Sequence, residues 1–297
     1  MEIIFVKFFI QKSVPCLTGL KSYGIVSWVI WWLFYTPKGI YMKIAVTGKG
    51  GAGKTTLATG IIKYFKWKGR AVFAIDADPD TNLALTLSFP EPSRITPLIE
   101  MKKLIEERTG AKPGDVSSYF KLNPKVDDIP DKYFVEHEGV KLAVMGTVRG
   151  GGMGCTCPEN AFLRALLSHL LLERDEVLVI DMEAGIEHLG RGTARGVDRL
   201  IVVVEPGKKS IETAFRIKKL SSQIGISNLS VVGNKIRGEE DRRYILTCLS
   251  NFNVLGFVSF DENIIQADIN GFSPWDKSEK FRSEIGEIVK NLTGEKV

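Results

Sequence analysis

The sequence is poor in the residues that staple or metallate small folds. Four cysteines and three histidines in 297 residues exclude a disulfide framework. Thiols this sparse point to a reducing compartment, the cytoplasm, where a close pair binds metal or does redox work more often than it cross-links. Internal repeats and low-complexity linkers are absent, which excludes a solenoid or an interaction tail. A strong charge of one sign is missing too: 40 Lys and Arg face 35 Asp and Glu, a net charge of +5. Residues 1–41 hold four Lys and one Glu of these, so the rest carries only +2, too little to argue for a nucleic-acid surface. With 44% hydrophobic and 25% charged residues, wholesale disorder is excluded as well.

Residues 1–41 differ in character from everything that follows. They contain Trp28, Trp31 and Trp32, and the uncharged stretch Ser22–Pro37 spans 16 residues. As a helix it would reach roughly 24 Å, short of the ~30 Å hydrocarbon core of a bilayer. No small-residue cleavage site follows it, which argues against a secretory signal. Three readings fit: a membrane anchor, an upstream stretch before a true start at Met42, or an added apolar element. A membrane role is expected only if this stretch is part of the native protein.

From Met42 onward, short apolar runs alternate with helical patterns. Strands are expected at Lys43–Thr47, Ala71–Ile75, Leu142–Met145, Val177–Ile180, Leu200–Val204, Ser230–Val232 and Val254–Val258. Helices are expected at Gly53–Trp67, Pro97–Thr109, Glu159–Leu172, Ser210–Ile224, Asp241–Ser250 and Ser278–Leu292. Such alternation with apolar strands predicts one α/β domain over 42–297, a mostly parallel sheet with helices on both faces. The stretch Ala111–Val140, rich in Pro, Asp and Lys, reads as an irregular insertion.

Gly48-Lys49-Gly50-Gly51-Ala52-Gly53-Lys54-Thr55-Thr56 follows the first strand and opens the first helix. This is the G-x-x-x-x-G-K-[ST] phosphate loop in the context it requires. Its glycines permit backbone conformations closed to other residues and present N–H groups to phosphate oxygens, and the helix N-terminus adds positive potential. Lys54 is expected to reach the β- and γ-phosphates and Thr55 to ligate Mg²⁺. The second strand ends in Asp76-Ala77-Asp78-Pro79-Asp80, where carboxylates can hold Mg²⁺ through water and orient an attacking water. Asp76 and Asp80 fit ordinary strand-end solvation equally well. Val177–Ile180 ends in Asp181, an apolar strand with a carboxylate placed to meet Mg²⁺ directly or through water. Gly185 follows, in a segment that could move when a γ-phosphate leaves.

A second cluster reads Gly150-Gly151-Gly152-Met153-Gly154-Cys155-Thr156-Cys157. Two thiols one residue apart cannot readily close an unstrained disulfide, but they can chelate a soft ion. Two ligands leave its coordination half empty, and a twofold dimer would complete S₄, which suits Zn²⁺, Ni²⁺ or an iron–sulfur cluster. Cys248 sits in a helical pattern and reads as core. His137, His169 and His188 show no ligand spacing with the cysteines.

The early lysine of the loop, Lys49, resembles the deviant Walker A group that includes MinD, ParA and the nitrogenase iron protein. That resemblance implies ATP/ADP as ligand, an ATP-dependent homodimer, Lys49 reaching the partner's nucleotide, Asp78 at the group's Asp-Pro, and Asn234 in Asn234-Lys235 reading adenine. More narrowly, Ile95–Lys102, Leu122–Val126, Cys155-Thr156-Cys157 with Glu159-Asn160, and Ala184–Leu189 with Arg191-Gly192-Thr193 resemble the CooC-type nickel-insertion ATPases. The likeness covers 42–297. It implies an Mg²⁺-dependent ATPase that carries nickel on Cys155 and Cys157 to carbon monoxide dehydrogenase, or to acetyl-CoA synthase. Two rivals remain. An iron–sulfur redox ATPase takes its cluster thiols from well-separated positions, which this chain lacks. A MinD- or ParA-like positioning ATPase needs a basic amphipathic helix or a basic surface. Here Glu284–Leu292 carries two Glu and one Lys and no aromatic, a poor membrane binder.

Overall fold

The computed structural model describes residues 42–113, 119–146, 158–172, 176–183, 194 and 196–294. Among them, eight strands form one sheet: β1 (Lys43–Gly48), β2 (Val72–Ala77), β3 (Val135–His137), β4 (Val140–Val144), β5 (Val177–Met182), β6 (Arg199–Val204), β7 (Leu229–Ile236) and β8 (Asn253–Ser259). Their spatial order is β3-β4-β2-β5-β1-β6-β7-β8. All neighbours are parallel except β3, which pairs antiparallel with β4 at the edge. The apolar runs behave as a parallel sheet demands. Every residue of β1 and β5 is buried, because helices cover both faces.

The helices are α1 (Lys54–Trp67), α2 (Leu83–Thr86), α3 (Lys102–Thr109), α4 (Ile129–Tyr133), α5 (Pro158–Leu172), α6 (Lys208–Ile224), α7 (Glu239–Cys248), α8 (Glu262–Ile269), α9 (Pro274–Lys277) and α10 (Glu279–Thr293). Side chains alternate across a strand. Ala45, Phe73, Ile75, Leu178, Ile180 and Val202 therefore share one core with Phe162 and Leu166 of α5 and Ala214 and Ile217 of α6. The opposite face carries α1 and α10. Gly60 of α1 lets Phe281 and Ile285 of α10 approach so closely that a Cβ would lie 2.8 Å from both.

The structure differs from the sequence expectation at three places. The helix expected over Pro97–Thr109 is a 3₁₀ turn, Leu98–Glu100, followed by α3. Ile99 N–H is drawn to Met145 O at the end of β4 (3.2 Å), and Met101 between the two pieces is non-helical. The stretch expected to be irregular contains α4 and the edge strand β3. Helix α8 was missed although its signal was present: Asp261 caps it, accepting from Asn263 N–H at 2.9 Å. Cys248 is half-buried against the core at the end of α7. Among the described residues no helix is long and apolar enough to cross a membrane. Residues 1–41 lie outside the described residues, as do Gly150–Cys157 and Ala184–Thr193.

Candidate functional site

Parallel register builds the site at the carboxyl edge of the sheet, where open α/β folds hold ligands. Val46 of β1 lies beside Asp181 of β5, and Asp181 lies beside Asp76 of β2. The strands thus deliver the glycine loop and two carboxylates to one place. Gly48 has φ +150° and faces Val203 of β6 so tightly that a Cβ would collide with its carbonyl. Gly53 precedes α1 in the left-handed region, φ +92°, with no side chain capping the helix. No acidic residue occupies the first turn. The amides and positive end of α1 are therefore left for an anion.

Lys54 is 8% exposed, and its ammonium lies 3.3 Å from Asp78 Oδ2. Thr55 Oγ1 donates to Asp181 Oδ2 at 2.6 Å. Asp181 is 1% exposed, and its other oxygen, Oδ1, is buried with no hydrogen-bond partner. Burial pushes its carboxyl up to about 7, against the pull of the Thr55 hydroxyl and with the push of Asp76 alongside. A buried carboxylate oxygen without a donor, beside a threonine hydroxyl and a second carboxylate, is a donor set suited to a hydrated hard cation such as Mg²⁺. Asp76 plays a different part. Its oxygens accept from Leu83 N–H (2.9 Å) and Asp78 N–H (3.2 Å), so it ties the start of α2 to the end of β2. Desolvation pushes it up to about 6. Asp80 is exposed.

Asn234, at the end of β7, is 7% exposed. Its Nδ2 donates to Ala52 O at 2.8 Å and its Oδ1 accepts from Lys235 N–H at 2.8 Å. It clasps the loop from behind while keeping one amide hydrogen and one lone pair. A cleft of about 660 Å³ runs over Gly50, Lys54, Thr55 and Asp78. A second, of about 530 Å³, runs from Thr56 and Asn234 past Arg237 to Phe260. Gly53, Thr56 and Lys235 line both. A phosphate chain in the first cleft and a base in the second match this division.

Lys49, Lys54, Asp78, Asp181 and Asn234 thus surround one loop. Two neighbours of the loop were given no role by the sequence reading, Glu205 because it was not noticed and Lys235 because only its place beside Asn234 was. Glu205, just after β6, lies 2.7 Å from the Lys49 ammonium, and Lys235 reaches the Gly51 carbonyl at 2.5 Å. The position of Glu205 at the end of an apolar strand beside β1 was the available signal. Cys155, Cys157 and His188 lie outside the described residues. Among the described residues no group of three or more His, Cys, Asp or Glu is arranged to hold a metal ion.

The model of the CobQ/CobB/MinD/ParA nucleotide binding domain matches residues 43–274. The chain is 46% identical over 253 residues to the carbon monoxide dehydrogenase accessory protein CooC of Rhodospirillum rubrum, covering 84% of this chain and 96% of that protein. It is 47% identical over 253 residues to an uncharacterized ATP-binding protein of Methanocaldococcus jannaschii, covering 84% and 97%. Among solved structures, MinD in the MinC:MinD cell division complex of Aquifex aeolicus matches with a TM-score of 0.62 at 21% identity, covering 86% of this chain and 97% of that one. A ParA family ATPase from Chlorobium tepidum matches at 0.61 and 16%, covering 84% and 98%. These structural likenesses speak for the fold alone.

Proposed function

This chain belongs to the CooC type within the CobQ/CobB/MinD/ParA nucleotide-binding family and is an ATPase, and from that premise we propose that it is a homodimeric nickel metallochaperone. Its cargo is Ni²⁺, with Zn²⁺ as a substitute, taken by Cys155 and Cys157 of two subunits. Its client is carbon monoxide dehydrogenase, or the linked acetyl-CoA synthase. The observation that carries this reading is the 46% identity to CooC over nearly the full length of that protein. The C-x-C pair fits it by chemistry, since two thiolates per chain make four in a twofold pair.

In this reading the residues divide the work. The loop amides and Lys54 bind and orient the phosphates, and Asn234 and the second cleft take the adenine. Thr55 would hold the Mg²⁺ that accompanies the nucleotide, with Asp78 and Asp181 acting through its waters. The ion supplies charge neutralisation on the phosphoryl group in flight. Lys49 reaches the partner's nucleotide and closes the dimer. Closure changes the geometry of the four thiolates and so their affinity for nickel. Coupling requires that difference, because a ligand with equal affinity for two states shifts neither.

The test is nickel content and stoichiometry of the purified full chain, with sizing, beside a Cys155→Ala/Cys157→Ala variant and a Lys54→Ala variant. One nickel per dimer, lost in the cysteine variant with ATP hydrolysis retained, is expected. Lys54→Ala should lower hydrolysis at least ~100-fold, as loss of a main phosphate-charge contact does. Iron with sulfide in place of nickel would refute the chaperone reading in favour of a redox ATPase. Cysteine-independent metal content would leave an ATPase without this output.

A further inference from the structure

Lys49 is engaged by an acid of its own chain. Its ammonium sits 2.7 Å from Glu205 Oε1. The other oxygen of the same carboxylate, Oε2, lies 3.5 Å from the Lys235 ammonium, and Lys235 donates to Gly51 O at 2.5 Å. One carboxylate therefore bridges two lysines, Lys49 on the phosphate loop and Lys235, which reaches it from β7. The arrangement is held from below. Glu205 N–H donates to Ser210 Oγ at 3.1 Å, fixing the turn between β6 and α6. Lys235 adopts φ +58°, the left-handed region that a lysine rarely enters, and the Asn234 amide accepts its N–H at 2.8 Å. That backbone conformation turns Lys235 toward the loop.

The charge arithmetic explains why an acid belongs here. Lys49, Lys54, Lys235 and the positive end of α1 converge on one loop, with Asp78 on Lys54 and Glu205 on the other two. The lysines draw Glu205 below the usual glutamate range in spite of its partial burial, so it is charged at neutral pH. When a triphosphate arrives, the lysines gain a more highly charged and better-shaped partner, and Glu205 becomes a like charge beside it.

We propose that Glu205 is a positioning residue for ATP hydrolysis: an exchangeable counter-ion that holds Lys49 on its own subunit's loop until phosphates take its place. Lys49 is thereby freed for a second subunit more often in the nucleotide-loaded state. This rests on the reading of Lys49 as the residue that reaches the partner's nucleotide. Its structural half, the latch, does not. Both groups are partly exposed, at 35% and 23%, so the latch is soft. It biases the equilibrium by a fewfold and does not block it.

The experiment has two readouts. The first needs no nucleotide: modification of Lys49 by an amine-reactive acylating reagent, followed peptide by peptide by mass spectrometry, with exposed Lys103 as internal reference. Glu205→Gln should raise the Lys49 rate several-fold over wild type, and Glu205→Asp should fall between them. The second is ATPase rate against ATP and against protein concentration. Glu205→Gln should lower the ATP concentration for half-maximal rate several-fold while kcat changes less than twofold, with Lys49→Ala as comparison. Unchanged Lys49 reactivity in both Glu205 variants, with folding verified by circular dichroism, overturns the latch. A Glu205→Gln enzyme whose kcat collapses overturns the exchange, because Glu205 would then be needed in the loaded state. Wild-type hydrolysis in Lys49→Ala, with Lys49 reactivity raised in Glu205→Gln, overturns the trans role of Lys49 and leaves the latch standing.

Discussion

Replacing Asp181 with Asn should stabilise the nucleotide-free protein and abolish its activity, and the stabilisation should depend on pH. The carboxyl is 1% exposed and its folded-state pKa is pushed up from 3.8 to about 7, chiefly by burial. Between those values the folded state keeps a proton that the unfolded chain has released. Stability therefore falls as pH rises through this window, and the loss is complete above it. At 1.36 kcal/mol per unit, a shift of about three units sets a ceiling of about 4 kcal/mol. Asn keeps the shape and an acceptor for Thr55 Oγ1, but it places an amide donor where Oδ1 has no partner. That unmet donor costs ~1–2 kcal/mol. The net expectation is a gain of roughly 1–3 kcal/mol at pH 8. At pH 5, about 1.2 units above the unfolded value, only about 1.6 kcal/mol of the wild-type loss is present, and the unmet donor of Asn offsets it, so the gap should shrink to nearly nothing. Asp76, pushed up to about 6, remains in both proteins and gives both a residual slope of the same sign. Urea unfolding at pH 5, 6, 7 and 8 with chelator and without nucleotide measures this directly through the midpoint at constant m. A variant no more stable than wild type at pH 8, or a gap independent of pH, would refute the reasoning.

Other consequences follow from packing and charge. Phe281 is 1% exposed in the seam between α10 and α1, so Phe281→Ala should cost ~3–5 kcal/mol in chemical denaturation. Gly60→Ala adds a better helix former, a gain of ~1 kcal/mol. Its Cβ would meet Ile285 and Phe281 at 2.8 Å, so a net loss of ~1–2 kcal/mol is expected, and a stabilised variant would contradict the tight α1–α10 contact. Asp128 is held down to about 2 by hydrogen bonds from Lys132 and Arg108. Its stabilisation is present above pH ~4, the ordinary aspartate value, and is lost as pH falls toward 2. Arg108→Met should therefore make stability less steep below pH 4 in an acid titration followed by circular dichroism.

A good part of the molecule was determined by local sequence. Fully apolar strands alternating with amphipathic helices can be buried in few ways other than as a covered parallel sheet, and seven of the eight strands among the described residues were legible on that ground. The glycine loop was legible because positive φ and an uncapped helix start admit few residues, and those residues stand at fixed spacing. Asp181 was legible as the carboxylate that ends an apolar strand. The edge strand β3 was not, because three exposed or half-exposed residues carry no burial pattern. The break at Met101 was invisible because a contact with β4 imposes it.

Tertiary structure alone decided the partnerships. Asp76 and Asp181 are 105 positions apart in the chain and become neighbours through the β2–β5 register. That contact gives one a share in raising the other's pKa. Asn234 lies 182 positions from Ala52 and clasps it. Glu205 reads as an ordinary strand-end acid until the β1–β6 pairing sets it against Lys49. Local propensity and patterning are properties of neighbouring residues, so they can be read along the chain. Ion pairs and buried-charge shifts depend on which distant strands are adjacent, and only strand order and register fix that.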